Sequence, residues 1–92
     1  MIRCRIDCAK LAGVEALYAD LARQLRLPRH FGDNLDALFD SLTRDVPGPV
    51  EIHLVGAAKT PASLRPALAQ LVKTIGEAAR ERTDLTLKID PA

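Results

Sequence analysis

Three short segments of alternating apolar and polar residues, separated by long stretches of helical periodicity, restrict this chain more than any other feature. Met1 to Asp7 sets Ile2, Cys4 and Ile6 against Arg3, Arg5 and Asp7, the two-residue period of a strand with one buried face. Val50, Ile52, Leu54 and Val55, with Glu51 and His53 between them, read as a second strand, and Leu85, Leu87 and Ile89, alternating with Thr86 and Lys88, as a third. Between the first two, Val14, Leu17, Tyr18, Leu21 and Leu25 follow helical spacing over Gly13 to Arg26, with Glu15, Asp20, Arg23 and Gln24 on the other side. A shorter helix follows over residues 34–43. Between the second and third strands, Leu68, Leu71, Val72 and Ile75 mark a helix from Pro66 to Arg82, Pro66 being tolerated in a first turn. Residues 56–64 read either as a loop or as a poor one-turn helix. Strands alternating with helices imply an α/β fold: a small three-stranded parallel sheet with right-handed crossovers and helices packed mainly on one face.

The chain has 92 residues, enough for one domain spanning 1–92 with a modest core. Its formal net charge of +1 selects no class of partner, but the distribution of charge is uneven. Residues 30–45 hold four Asp (33, 36, 40 and 45) against Arg44 alone, inside a chain that is mildly basic elsewhere. Cys4 and Cys8 are too far apart on an extended segment to form a disulfide. They read as reduced, partly buried thiols, which fits a cytoplasmic location. No His or Cys cluster completes a metal site around them. The sequence lacks the pattern of a signal peptide and any apolar run of membrane-spanning length.

The acidic run carries the candidate site. Pro28 disfavours helix in the residue before it and closes the first helix. Residues 27–33 form a loop in which Gly32 is free to take a positive φ, and Asp33 or Asn34 caps the helix that follows. Asp36 and Asp40 lie four residues apart and so face the same side, one turn from each other. Leu35, Leu38, Phe39 and Leu42 share the apolar stripe. Like charges at this spacing cost an exposed helix roughly 0.2–0.5 kcal/mol, which their place in its first half partly offsets. They read either as a solvated face with a favourable start or as a phosphate mimic for a basic cleft. Phe39 fits core or contact equally. His30 reads as an exposed loop residue or a pH-sensitive contact, His53 as structural, and Tyr18 as core with its hydroxyl reaching the surface.

Leu27-Pro28-x-His30-Phe31-Gly32-Asp33-Asn34-Leu35-Asp36-Ala37-Leu38-Phe39-Asp40-x-Leu42-Thr43 resembles the signature of the barstar family, intracellular inhibitors of a secreted bacterial ribonuclease. The likeness runs over almost the whole chain, through the strand led by Pro49 to Thr83-Asp84-Leu85-Thr86-Leu87. It implies a barstar-like three-stranded parallel sheet, and a mechanism in which the helix after Asn34 and the loop before it plug the ribonuclease's active-site cleft. On that resemblance Asp40 takes the place of an RNA phosphate. Asp36 is a second carboxylate and Glu77 a further acidic contact. Gly32 and Asn34 are loop contacts. Phe39 stands where the family's namesake has Trp, and His30 where it has Tyr. Arg29 and Arg44 place positive charge beside the acidic face.

Other classes fit less well. Helix acids with no pocket expected around them lack the desolvation that tunes catalytic carboxylates. No phosphate-cradling Gly loop, Ser/His/Asp or Cys/His constellation is present to indicate an enzyme or a cofactor. A basic footprint interleaved with aromatics, the mark of direct nucleic-acid binding, is missing. The expected partner is a barnase-type ribonuclease bound by a chain that is monomeric when free. The alternative is a barstar-like interaction module for a different toxin or regulatory protein.

Overall fold

A computed structural model describes residues 1–27 and 34–92. Strands β1 (Ile2–Asp7), β2 (Val50–Val55) and β3 (Leu85–Asp90) form one parallel sheet in the order β1-β2-β3. Helices α1 (Val14–Leu25) and α2 (Leu35–Asp40) lie between β1 and β2, and α3 (Arg65–Glu81) between β2 and β3. Two right-handed crossovers that step the same way across a sheet put all the helices on one face. The register aligns Ile2 with Val50 and Leu85, Cys4 with Ile52 and Leu87, and Ile6 with Leu54 and Ile89. These rows face the helices, and Cys4, Ile6, Val50, Ile52 and Leu54 are fully buried. The opposite face carries Arg3, Arg5, Glu51, His53, Thr86 and Lys88, none of them buried. His53 sits there between Arg5 and Lys88, and Lys88 reaches Glu51 at 3.7 Å.

The helices contribute the stripes their spacing predicts. Leu17, Leu21 and Leu25 of α1, and Leu68, Leu71, Ile75 and Ala78 of α3, are buried against the sheet. Tyr18 is also buried. The edge of β1 is closed in an unusual way. The Arg5 amide donates to Gln24 Oε1 at 2.8 Å, and Gln24 Nε2 donates to the Arg5 carbonyl at 2.9 Å. One side-chain amide from α1 thus stands in for a neighbouring strand and blunts an edge that would otherwise be open to pairing.

Several boundaries differ from the sequence reading. Helix α1 ends at Leu25 because Arg26 adopts a left-handed conformation (φ 56°), with its N–H donating to Ala22 O; Pro28 lies outside the described residues. The expected helix over 34–43 is α-helical only through Asp40. It continues as a π turn over Ser41–Asp45, in which the Val46 amide donates to Ser41 O at 3.0 Å. The wider turn keeps Ser41, Leu42 and Val46 buried while the chain leaves the helix. Residues 56–64 form two 3₁₀ turns, Ala57–Lys59 and Ala62–Leu64. Gly56 has φ +68° there, a region side chains disfavour. Cys4 and Cys8 are unpaired, as expected, but fully rather than partly buried. Among the described residues no helix is long and apolar enough to cross a membrane.

Candidate protein-binding groove

Asn34 fixes the start of α2. Its side-chain oxygen accepts from the Ala37 amide at 2.8 Å, and its carbonyl accepts from Leu38 N at 3.0 Å. The cap is worth ~1 kcal/mol and sets the rotation of a helix only six residues long. Leu38 and Leu42 have no exposed surface. Burying them against the core turns the other side of α2 outward, so Asp36 and Asp40 are both exposed. Leu35 and Phe39 are half-buried at the edge of the core.

Helix α2 packs against α3, and a groove of about 610 Å³ opens along the junction. Leu35, Asp36, Phe39 and Asp40 form its α2 wall, and Gln70, Lys73, Thr74 and Glu77 its α3 wall. The α3 residues recur at +3, +4 and +7 from Gln70, one stripe of a helix. A second hollow of about 640 Å³ adjoins the first, shares Leu35, Asp36 and Gln70 with it, and extends to Val14, Tyr18, Asn34 and Ala67. Asp36 therefore stands between two concavities. Among the described residues, no ion pair involves Asp36, Asp40, Glu77 or Lys73.

The structure brings together five of the seven residues assigned to the site from sequence. Asp36, Phe39, Asp40 and Glu77 line the groove between α2 and α3, and Asn34 and Asp36 the adjoining hollow. His30 and Gly32 lie outside the described residues. The expectation that no pocket surrounds the acids is corrected. It failed because it treated α2 alone, whereas the concavity is completed by α3, which begins 30 residues after α2 begins. Lys73 and Gln70 were missed, although their spacing from Glu77 on one helix stripe was readable. Phe39 is neither pure core nor free contact: it packs on the core and walls the groove.

Behind the groove, Arg82 holds the end of the α2 segment. Its Nη1 donates to Leu42 O at 2.8 Å and to Val46 O at 2.7 Å, while Nε and Nη2 donate to the two Asp84 carboxylate oxygens at 2.7 and 3.0 Å. The guanidinium thus satisfies carbonyls that the helix end leaves without partners. These bonds hold the Asp84 carboxyl below the usual carboxylate range. A Cβ at Gly48 would collide with this pair, so a larger residue in the Pro47-Gly48-Pro49 turn would have to displace the Arg82 and Asp84 side chains.

The fold and the groove together define a small parallel α/β domain with an acidic hollow between two helices. Residues 1–90 match the family model described as barstar, the barnase inhibitor. The chain belongs to the barstar family, a family of inhibitors rather than enzymes.

Proposed function

We propose that this chain inhibits a small secreted-type bacterial ribonuclease in the cytoplasm by seating α2 and the groove beside it in the enzyme's active-site cleft. Asp40 and Asp36 take the places of RNA phosphates, and Glu77 adds a third negative charge from α3. The observation that carries this reading is convergence: three carboxylates from two helices far apart in sequence line one hollow, in a chain whose family is that of barnase inhibitors. A cleft built to bind phosphate presents Arg, Lys or His⁺, and Arg pairs with a carboxylate through two parallel hydrogen bonds. Such pairs are strong when water is excluded at the centre of an interface. The Asn34 cap and the buried Leu38 and Leu42 fix α2 before binding, so little ordering cost is left for the complex. Phe39 and Leu35 give the cleft rim an apolar surface to cover. Gly32 and His30, which precede α2, are further contacts on this reading.

The test is RNA hydrolysis by barnase, titrated with this protein and with Asp40→Ala. Stoichiometric one-to-one inhibition by the wild type, weakening with salt and lost in a variant that melts like the wild type, is the expected result. Asp40 is exposed, so its removal leaves the core intact. Absence of inhibition at micromolar concentration would overturn the proposal and turn attention to a different toxin or regulatory protein as the partner.

A further inference from the structure

We infer that Lys73 pairs with a carboxylate of the enzyme that the groove inhibits, so that the partner's cleft is basic but carries an acidic group placed against α3. This rests on the inhibitor reading above and specifies the partner's surface. Lys73 is the one cation among the described residues lining the groove between α2 and α3, where Asp36, Asp40 and Glu77 are the acids. It lies one turn before Glu77 and faces α2, yet it forms no ion pair with these acids. Its neighbours on the α3 wall, Gln70 and Thr74, are uncharged.

A partner that fills the hollow strips water from all four charges. The three carboxylates are satisfied by cations of the partner. The ammonium has only donors, so the same cations repel it, and a desolvated charge without a counter-ion is costly. Like charges set against each other across an interface are penalised further. A partner carboxylate opposite Lys73 removes both costs and fixes the orientation of the complex. It also discriminates between enzymes, since a cleft without that acid meets an unpaired ammonium.

The experiment measures barnase binding and inhibition for the wild type, Lys73→Gln, Lys73→Glu and Asp40→Ala, each with a thermal melt. Lys73 is exposed, so its variants should fold. The expected result is a loss of about tenfold in affinity for Lys73→Gln, from one charge-assisted hydrogen bond, and a larger loss for Lys73→Glu. Double-mutant cycles against each Asp and Glu lining the enzyme's cleft should couple Lys73 to one of them. If the wild type inhibits and Asp40→Ala does not, while Lys73→Gln binds as well as or better than wild type, the inference is overturned and the inhibitor reading stands. If the wild type does not bind, the reading itself fails and the inference falls with it.

Discussion

Replacing Arg82 with Met tests whether one guanidinium holds the end of the α2 segment. Methionine keeps much of the stem's volume while removing every donor. The Arg82 side chain is 15% exposed, so its bonds to the Leu42 and Val46 carbonyls are largely shielded from water. Hydrogen bonds from a charged donor are worth roughly 1.5–3 kcal/mol each. Water reaching the freed carbonyls restores part of that, leaving a net loss of about 2–4 kcal/mol. For a domain of this size 1 kcal/mol moves Tm by roughly 4–8 °C, so the variant should melt about 10–25 °C lower. Circular dichroism melts and urea titrations read this directly. Asp84→Asn is the control: it weakens the ion pair but keeps both carbonyl bonds, and should cost clearly less. A fall of less than about 4 °C for Arg82→Met, or an equal fall for Asp84→Asn, would refute the claim that the carbonyl bonds dominate.

The same clamp has a pH signature. Asp84 is held below the ordinary carboxylate range mainly by its hydrogen bonds from Arg82, with the guanidinium charge adding to the effect. A depressed folded-state pKa contributes stability that is fully present above the unfolded value, ~3.9, and is lost as pH falls through the folded one. The gap between wild type and Arg82→Met should therefore be constant near neutrality and narrow below about pH 4. It should not close, because the carbonyl bonds do not titrate.

Gly76→Ala should stabilise the chain by about 0.5–1 kcal/mol, since a Cβ there meets no atom within 4 Å; a lower Tm would show that α3 needs the glycine. Gly48→Ala should destabilise it, because the added carbon displaces the Arg82–Asp84 pair, and a melt unchanged from wild type would contradict that packing. Burial pushes the Cys4 thiol up to about 12, with nearby Asp20 reinforcing it, and burial also raises Cys8. Neither thiol should react with a thiol-exchange reagent at pH 8 at more than the rate of opening, and both should react at once in urea; fast native labelling would refute their burial.

Much of the fold was legible because its periodicities are strong. The alternation in 2–7, 50–55 and 85–90 maps onto the three strands with the apolar rows facing the helices, although Ile89 near the end of β3 stays 48% exposed. What escaped was set by contacts between distant segments. At the π turn of Ser41–Asp45, local bonds from the Thr43 hydroxyl to the Phe39 and Asp40 carbonyls combine with bonds from Arg82, about 40 residues away, to the Leu42 and Val46 carbonyls. The left-handed end of α1 falls on Arg26 rather than a glycine, so the usual C-terminal signal was absent. The candidate site was legible by half. Asp36 and Asp40 were readable from helical spacing and the barstar-like run, but the groove, Gln70 and Lys73 required knowing that α3 lies beside α2.

The short helix α2 needs that support. Six residues are far too few for a helix to hold its own shape in water. Its acids nevertheless stand on a defined wall, because the segment is tied at both ends and along one side. The Asn34 side chain closes its start, Leu38 and Leu42 anchor its inner face, and Arg82 holds the carbonyls of the turn that follows it. None of these groups except Asn34 lines either hollow beside α2. On the proposed reading, stability and recognition fall on opposite sides of this short segment. Substitutions at Asp36 or Asp40 on its exposed side, or at Glu77 on the facing wall of α3, should change binding with little effect on Tm. Arg82→Met should lower Tm and weaken binding together, by letting the α2 wall move.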